Sequence, residues 1–564
     1  WYVESRINTT YPENQTYTLA NPGLPTSDGA PQGRYPSAVI SSYQNKATAV
    51  WNEFTLQTYG GGNSGGVPMY SYDFFPLGEN SNFSAIQHLN EGCINLNLAQ
   101  GEVCDPPDLW QGNVQLVDGS DGQVRLLAMF TSWADLTYPK YMIKSTNVVN
   151  GYVIADDPNY IQQDSLDQDD QGNCLWYNCG GYNGTPDFHI NTDGVGYMAH
   201  SGFAYDSDTD PPHLHTIFFK QTEDYGETWS SEGGLKNSGY FYMSDEALMM
   251  AHDSLLTQWS LDPDYHSDKP WYPWATDSEG KVVGDTITYS DVEGNYFYTP
   301  AFFIHYQHDV VTDQNGGIHF VAMAYPQLCS DVNGGCEDND GDGIADSLLS
   351  DTRVEGTGMY HYFNPNPIEE PNNWSATFIE DFADALSADW GLDPNSSYMN
   401  YLGDEQPIFH FQPNLRPSYE DGSQVLWYSS INVSEFSFSD DSAYVYPIDL
   451  DVFMSKSTDN GRSWTGVENV TNTPSSEFNP QIEYAGHLAN IGSDNEIGIF
   501  YQMPNFDFET YPPATGYYDY MNYVHFGKYE NYDMSFPDNP EPPSEDGSIT
   551  LISPTGGDEV FVSS

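Results

Sequence analysis

Six stretches of the chain share one pattern of apolar and polar positions. Each has a short alternating segment, a polar turn containing Gly, Asn or Asp, and a second alternating segment that ends in aromatic residues. Alternation with a period of two predicts half-buried β-strands. The stretches begin at residues 33, 112, 186, 299, 412 and 479. Because a further hairpin follows most of them, the pattern predicts repeated units of four antiparallel strands.

Two of the further hairpins carry nearly the same turn sequence. Residues 219–229 read FKQTEDYGETW, and residues 455–464 read SKSTDNGRSW. An Asp two residues before a Gly favours a tight turn, in which the carboxylate accepts backbone hydrogen bonds and the Gly takes a positive φ. A Ser or Thr then closes the turn, and a Trp packs between strands. The turn residues are Thr222, Asp224, Gly226, Thr228 and Trp229 in the first copy, and Ser457, Asp459, Gly461, Ser463 and Trp464 in the second.

Four-stranded units repeated six times without intervening helices are typical of a β-propeller. Over about residues 30–530, the chain resembles the sialidase-like β-propellers that carry Asp-box (BNR) repeats. The resemblance implies an all-β, six-bladed β-propeller, with seven blades as the alternative, and Asp boxes that are structural and lie away from the catalytic face. That superfamily includes sialidases, other glycosidases, polysaccharide lyases and non-catalytic binding propellers, so the fold leaves the function open.

Composition along the chain predicts the domain organisation. Residues 537–548, PDNPEPPSEDGS, have the composition of a Pro-rich acidic linker. A seventh blade, if present, is expected within the first of two insertions. The predicted segments are an N-terminal extension at 1–29, a propeller at 30–536 with insertions at 238–298 and 327–352, the linker, and the start of a further, Ig-like module at 549–564.

The charge of the chain restricts its partners. Lys and Arg number 15 against 82 Asp and Glu, which gives a formal net charge of −67. Such a surface repels nucleic acids and anionic membranes, and suits high ionic strength or divalent cations. No run of 18 apolar residues occurs, so no membrane span is predicted. Glycans or other extracellular surface proteins are the expected partners, with a homo-oligomer or a larger surface assembly as a further possibility.

The six cysteines fall into three local pairs that lack metal-site spacing. Three disulfides formed in an oxidising compartment explain this arrangement, which predicts a secreted or cell-surface protein. The alternative is six free buried thiols. The predicted pairs are Cys93 with Cys104, Cys174 with Cys179, and Cys329 with Cys336.

An acidic loop predicts a calcium site. Residues 336–347 read CEDNDGDGIADS, which places carboxylates at alternate positions before a Gly that permits a sharp bend. Hard oxygen ligands in a tight loop are what Ca²⁺ prefers. The stretch resembles the acidic repeats of thrombospondin type 3, and departs from an EF-hand because Leu349 stands where a bidentate Glu belongs. The expected ligands are Asp338, Asp340, Asp342, the carbonyl of Ile344, and Asp346.

Candidate catalytic residues are few. A sialidase holds its substrate carboxylate with three convergent arginines, and this chain has six arginines in all. Arg34, in GRYPSAV, resembles the first arginine of the family's Arg-Ile-Pro motif, with Tyr35 in place of Ile. Arg416, in NLRPSYEDG, occupies a similar place in its repeat. Arg125 and Arg353 match no motif, and the tyrosine–glutamate nucleophile pair of the family is not placed by the sequence.

Histidines offer a second kind of site. His305 and His308 are close in sequence, His319 follows in the expected partner strand, and His213 and His215 share a strand face. Histidine, tyrosine and arginine together support β-elimination in propeller-form polysaccharide lyases, because an imidazole or phenol takes the proton α to a carboxylate. Buried, hydrogen-bonded strand histidines are the alternative reading.

Three functional hypotheses remain after the sequence. The first is a non-catalytic, calcium-stabilised binding or structural module of an extracellular assembly, favoured by the small arginine set. The second is a glycan-active enzyme, either a sialidase-like glycoside hydrolase or a polysaccharide lyase. The third is a calcium-gated regulatory module.

Overall fold

A computed structural model gives the structure of the chain. It describes residues 33–41, 43–44, 46–55, 65–72, 84–93, 96, 102–134, 140–155, 159–162, 187–203, 215–234, 237–243, 247–248, 250, 288–290, 296–329, 349–350, 356–382, 412–420, 423–438, 445–472, 486–490, 496–504, 522–530 and 549–551. Apart from a 3₁₀ turn at Glu91–Cys93 and a few helical residues at 237, 247, 248 and 250, these residues form strands, turns and loops, so the predicted all-β class is confirmed. None of the helical residues in this part of the chain builds a helix long and apolar enough to cross a membrane.

The strands form antiparallel sheets that follow one another along the chain. Three sheets come from the first half. The first contains β1 (Gly33–Ser41), β2 (Lys46–Thr55), β3 (Gly65–Tyr72) and β4 (Gln87–His88). The second contains β5 (Leu109–Asp118), β6 (Val124–Ser132), β7 (Lys140–Val149), β8 (Tyr152–Ala155) and β9 (Asn159–Gln162). The third contains β10 (Asp187–Ile190), β11 (Gly196–Phe203), β12 (His215–Thr222) and β13 (Phe241–Tyr242).

Three further sheets come from the second half. The fourth contains β14 (Thr288–Ser290), β15 (Tyr296–Thr312), β16 (Ile318–Cys329), β17 (Leu349–Ser350), β18 (Gly358–Asn364) and β19 (Ser375–Asp381). The fifth contains β20 (Asn414–Glu420), β21 (Ser423–Phe438), β22 (Val445–Ser457) and β23 (Glu468–Asn469). The sixth contains β24 (Gly486–Asn490), β25 (Glu496–Pro504), β26 (Asn522–Glu530) and β27 (Ile549–Leu551).

The strand order identifies these sheets as propeller blades. Four of the sheets are four-stranded meanders, the second sheet adds β9 beside β7, and the fourth sheet runs β14-β15-β16-β18-β19 with β17 beside β16. The four-stranded antiparallel meander is the blade unit of a β-propeller. Six such sheets occur in the described part of the chain. Residues 251–287, where a seventh blade was the alternative, lie outside it.

The chain divides into two compact units. One consists of Trp1–Asp208, Ile217–Tyr242 and Thr312–Ile318, and the other of Thr209–Thr216, Met243–Val311 and His319–Ser564. The core of the second unit shows why alternating strands form these sheets. Ile431, Val452, Ile497 and Ile499 are fully buried in one apolar cluster that joins the fifth and sixth sheets. Full burial of each such side chain contributes about 1.5–3 kcal/mol.

The two repeated turns are closed by side chains, as their spacing predicts. In the first turn, the Thr228 amide donates to Asp224 Oδ1 at 2.8 Å and the Thr228 hydroxyl donates to Asp224 Oδ2 at 2.7 Å. The Gly226 amide donates to Thr222 Oγ1 at 2.9 Å, and Gly226 has a φ of +78°. Asp224 therefore fixes the turn through both carboxylate oxygens. That these turns are Asp boxes of the sialidase-like family stays a prediction.

The aspartate of the second turn makes the same hydrogen bonds as that of the first, but the tryptophan of the second turn is more deeply buried. Asp459 accepts from the Ser463 amide at 2.9 Å and from its hydroxyl at 2.7 Å. Trp464 is only 4% exposed and donates to the Gly461 carbonyl at 3.1 Å, whereas Trp229 is half-buried. The same motif thus supports two tryptophans in different environments.

The structure describes one predicted cysteine pair and the first residues of the predicted C-terminal segment. Cys93 and Cys104 form the predicted disulfide, with their Cα atoms 4.6 Å apart in the apolar core of the first sheet. Ile549–Leu551 pairs with β26 as the outer strand of the sixth sheet. The further Ig-like module predicted at 549–564 stays a prediction, because residues 552–564 lie outside the described residues.

Several other predictions concern residues that the structure does not describe. These are the extension, the acidic linker and the calcium loop with Asp338, Asp340, Asp342, Ile344 and Asp346. Cys174, Cys179 and Cys336 also lie outside the described residues, and the side chains of Arg34 and Cys329 are not described. The expectations for all of these residues stay predictions.

Candidate functional site

Polar residues from three neighbouring sheets meet in the second unit. They lie on β15, β20 and β24. The leading strands of the fifth and sixth sheets are β20 and β24, and β15 is the leading long strand of the fourth sheet, after the short β14. The two candidates Arg416 and His305 belong to this group. The sheets therefore bring together residues that are more than a hundred positions apart in sequence.

Asp309 of β15 fixes Arg416 of β20. Its Oδ2 atom accepts from the Leu415 backbone amide at 2.7 Å and from Arg416 Nη1 at 3.0 Å. Arg416 Nη1 also donates to the Leu415 carbonyl at 2.6 Å. The Asp309 side chain is 8% exposed and that of Arg416 is 28% exposed. A buried carboxylate thus orients a guanidinium that still reaches solvent.

A similar hydrogen bond from a backbone amide to a side chain joins the fifth and sixth sheets. Asn414 Oδ1 accepts from the Leu488 backbone amide at 2.9 Å, as Asp309 accepts from that of Leu415. The Asn414 amide nitrogen lies 3.5 Å from His487 Nδ1 on β24. The polar cluster therefore extends across all three strands.

Three histidines lie on or beside residues 303–308 of β15. His215 stacks on Phe303 with ring centroids 4.4 Å apart, and its Nδ1 atom hydrogen-bonds with the Ile304 carbonyl. Burial lowers the pKa of His215 to about 3, and the neighbouring His305 and His308 act in the same direction. His215 is therefore a neutral, buried ring that packs against β15, while His305 and His308 are half-buried.

Alternation along β15 separates the two candidate histidines. In a strand, residues i, i+2 and i+4 share one face, so His305, Gln307 and Asp309 form one row. Gln307 Oε1 accepts from the Gln412 backbone amide at 3.3 Å, which places this row against the start of the fifth sheet. His308 belongs to the opposite face of the strand.

His319 does not join these histidines, in contrast to the sequence-based expectation. Its Nδ1 atom lies 3.0 Å from Nε2 of His361, and both rings are fully buried. A Cβ atom at Gly461 would overlap the His361 ring, so this pair packs against the second repeated turn. Burial, with His319 next in effect, holds the pKa of His361 well below its usual range. The pair therefore has a structural role.

The described arginines do not form a sialidase-type triad. Arg125 makes a two-pronged ion pair with Asp121 and stacks over the Tyr225 ring at 4.0 Å, beside the first repeated turn. Arg462 lies exposed in the second repeated turn. Among the arginines whose side chains the structure describes, only Arg416 lies on a leading strand.

A tyrosine–glutamate pair exists, but it is buried. Tyr428 and Ser430 donate to Glu380 Oε2 at 2.7 and 2.5 Å, and the Asn432 amide donates to Oε1 at 2.7 Å. Glu380 is 6% exposed and Tyr428 is fully buried. The pair therefore links β19 to β21 and does not present a nucleophile at the surface.

The sequence reading missed Asp309, Gln307, Asn414 and His487. Their signal was present as polar residues beside the named candidates, since Gln307 and Asp309 flank His308 and Asn414 precedes Arg416 by two positions. Within the described residues, no three His, Cys, Asp or Glu side chains are arranged to hold a metal ion.

Comparison with known proteins gives distant structural similarities. No protein-family model matches the chain, and no curated protein matches it. An ulvan lyase, which is a polysaccharide lyase, shares 9% identity at a TM-score of 0.36, over 87% of this chain and 78% of the lyase. The sialidase of Trypanosoma rangeli shares 10% identity at 0.34, over 89% of this chain but only 56% of the sialidase. A levansucrase variant of B. megaterium shares 10% identity at 0.33, over 94% and 90%. At these values, the similarities assign no activity to this chain.

Proposed function

We propose that this protein is a glycan-active enzyme that cleaves uronate-containing polysaccharides by β-elimination. The observation that carries the proposal is the oriented, partly exposed Arg416, held by Asp309 at the end of a row that includes His305. Among the sequence hypotheses, this arrangement favours the enzyme alternative over the non-catalytic module. A lyase is proposed ahead of a sialidase because the row places a histidine and a partly exposed arginine on adjoining strands.

The reaction needs only groups of the kind found in this row. A base removes the proton α to the uronate carboxylate, the bond from the β carbon to the glycosidic oxygen breaks, and the protonated base passes the proton on to that oxygen. The products are an unsaturated uronate at one new end and a reducing sugar at the other, so neither water nor an oxidant is consumed. The step is helped by a cation that stabilises the charge growing on the carboxylate.

Each residue of the row has a proposed role. Arg416 binds the substrate carboxylate, since a guanidinium pairs with two oxygens in one plane. Asp309 and Leu415 hold Nη1, and the remaining N–H groups of the guanidinium are those that would pair with the substrate carboxylate. His305 takes the α proton, and Gln307 between them binds a substrate hydroxyl or carboxylate oxygen. Asp309 is a positioning residue that fixes the guanidinium.

The net charge of −67 sets the conditions for activity. An anionic polymer is repelled at long range, and salt shortens that repulsion to roughly 10 Å or less. We therefore expect kcat/KM on a uronate polymer to rise as salt is added from low ionic strength. A neutral glycan would show no such rise.

A substrate screen tests the proposal. The protein is incubated in high salt with alginate, polygalacturonate, heparan sulfate and neutral glucans, while ultraviolet absorbance of the new double bond and released reducing ends are recorded. Elimination that His305→Gln and Arg416→Lys reduce at least about 100-fold, and that His308→Gln spares, supports the assignment. Reducing ends without the double bond would identify a hydrolase. Binding without turnover would restore the non-catalytic module.

A further inference from the structure

We infer that His487 is a second donor to the substrate carboxylate, with its ring proton held on Nε2 by Asn414. The inference rests on the proposed function, because it concerns the carboxylate that Arg416 binds. His487 lies on β24 and Asn414 on β20, so the sixth sheet contributes to the site together with the fourth and fifth. Three features carry the inference: the orientation of the Asn414 amide, the tautomer that this orientation imposes on His487, and the exposure of the ring beside Arg416.

The side-chain amide of Asn414 is fixed in one orientation. Its Oδ1 atom accepts from the Leu488 backbone amide at 2.9 Å, and Asn414 and Leu488 are 4% and 3% exposed. If the amide were turned over, its NH₂ group would face the Leu488 N–H, and leaving that buried donor unpaired costs about 1–3 kcal/mol. The oxygen of Asn414 therefore points to Leu488, and the nitrogen points to His487.

This orientation decides which nitrogen of His487 carries the proton. Asn414 Nδ2 lies 3.5 Å from His487 Nδ1, and an amide nitrogen is only a donor. A proton on Nδ1 would set two donors against each other, whereas a lone pair on Nδ1 accepts from the amide. Because the partner of one ring nitrogen sets the state of the other, the neutral ring carries its proton on Nε2 and presents a donor there.

The surroundings of the ring favour its neutral form. Although the ring reaches solvent, desolvation by the surrounding protein lowers the pKa of His487; the charge of Arg416 acts in the same direction, and that of Asp309 opposes both. At neutral pH and above, the ring is therefore mostly uncharged. A neutral N–H group can share an anion with a guanidinium without the repulsion that a second cation would meet.

The ring is exposed on the side of the strands that carries Arg416. Leu488 packs in the apolar core and Leu415 is fully buried, whereas His487 is exposed. Alternation places His487 on the face of β24 away from that core, and places Asn414 and Arg416 together on the face of β20 opposite Leu415. The Cα atoms of Asn414 and Arg416 are roughly 7 Å apart, as for any residues i and i+2 of a strand. A uronate bound to Arg416 thus lies beside His487.

A second donor helps elimination at the step that moves charge. As the α proton leaves, negative charge grows on the carboxylate oxygens, and donors already aimed at them bind more strongly in the transition state. Arg416 supplies the cation, and the Nε2–H group of His487 supplies one more hydrogen bond without transferring a proton. His487 is therefore a carboxylate-binding residue, and Asn414 is a positioning residue that acts through its ring.

Nitrogen NMR of the histidine rings tests the tautomer without any turnover. In protein labelled with ¹⁵N, protonated and unprotonated ring nitrogens have different shifts, and the signals that disappear in His487→Gln belong to His487. At about pH 8 we expect the wild type to carry the proton on Nε2, and Asn414→Asp to carry it on Nδ1, because a carboxylate accepts there. Asn373→Asp, which adds the same charge in an exposed turn of the same unit, should leave the ring unchanged. A proton on Nδ1 in the wild type would overturn the inference.

Kinetics on hexagalacturonate or hexamannuronate test the role in the reaction. We expect His487→Ala to lower kcat at least about tenfold with little change in KM, because the lost bond strengthens in the transition state. His487→Gln keeps an N–H donor on a side chain of similar length, so it should recover most of the loss. Thermal unfolding checks that both variants are folded. Equal losses of kcat in the two variants, or a change confined to KM, would count against a donor at this position.

The outcomes separate this inference from the proposed reaction. Binding of either hexauronate should shift the ring signals of His487. Such a shift in a protein that cleaves no glycan would support the second donor while overturning the elimination. Cleavage that depends on Arg416, with full kcat in His487→Ala, would overturn the second donor alone. Failure of the wild type to bind either hexauronate would overturn both.

Discussion

Replacing Glu380 with Gln tests the energetics of a buried carboxyl that joins two sheets. Burial raises the pKa of Glu380 from 4.5 to about 7, although Ser430, Tyr428 and Asn432 donate to the charged form and oppose the shift. Asp381 acts in the same direction as burial. The folded protein therefore holds a proton on Glu380 at pH values where the unfolded chain has released it.

The sign of the pH effect follows from this difference. Between pH 4.5 and pH 7 the folded state binds more protons than the unfolded state, so the contribution of Glu380 to the free energy of unfolding falls as pH rises. One pKa unit corresponds to about 1.4 kcal/mol. For these two pKa values, the contribution decreases by about 2.5 kcal/mol between about pH 5 and pH 8.

Urea unfolding at a series of pH values measures this quantity. The free energy of unfolding of the wild type minus that of Glu380→Gln is expected to fall by about 2.5 kcal/mol from about pH 5 to pH 8, because buried histidines titrate equally in both proteins. Glu369→Gln, which removes an exposed charge from the same hairpin, serves as the control for the loss of a carboxylate that is not buried. A flat or rising difference for Glu380→Gln would refute the reasoning.

Further predictions concern the repeated turns and the calcium loop. Trp464→Ala should lower the free energy of unfolding by about 3–5 kcal/mol, and the half-buried Trp229→Ala by clearly less; equal losses in denaturant titrations would contradict the packing argument. Gly461→Ala should destabilise more than Gly226→Ala, since a Cβ overlaps the His361 ring at the first, whereas at the second its nearest neighbour is Met142 Sδ at 3.1 Å and Ile190 and Trp229 lie at ordinary contact distance; similar melting temperatures would argue against this. Asp340→Ala should lower the melting temperature in calcium and leave it unchanged in EDTA; equal losses in both buffers would remove the calcium assignment.

The sequence predicted most of what depends on local chemistry. Strand alternation and turn residues act over a few positions, so the four-stranded units and the bonds made by Asp224 and Asp459 could be read directly. The Cys93–Cys104 disulfide was equally local, since 11 positions separate the two cysteines. Each of these features is decided by residues within one hairpin or loop.

Features between sheets could not be read in this way. Asp309 and Arg416 are 107 positions apart, and their contact depends on how neighbouring sheets align their leading strands. Glu380 and Tyr428 likewise belong to different sheets. With 82 acidic residues in the chain, no sequence pattern singles out the two that bind these partners.

Burial also decided between alternative readings of the histidines. His305 and His319 both occur in apolar, alternating strands, and no local sequence pattern separates them. The structure pairs His319 with His361 in the core, while His305 stays half-buried in the row that ends at Asp309. Solvent access is a property of the packed sheets, which is why the candidate set had to be divided by the structure.

The most direct test of the proposed chemistry is the mass of the product formed from a uronate oligosaccharide. An elimination product is lighter by one water than the corresponding hydrolysis product, so one mass spectrum distinguishes the two reactions. We expect the lighter product from the wild type and from His308→Gln, and intact substrate from His305→Gln. A product carrying the added water, or an equal yield of the lighter product from His305→Gln, would contradict the assignment of the β15 row as an elimination site.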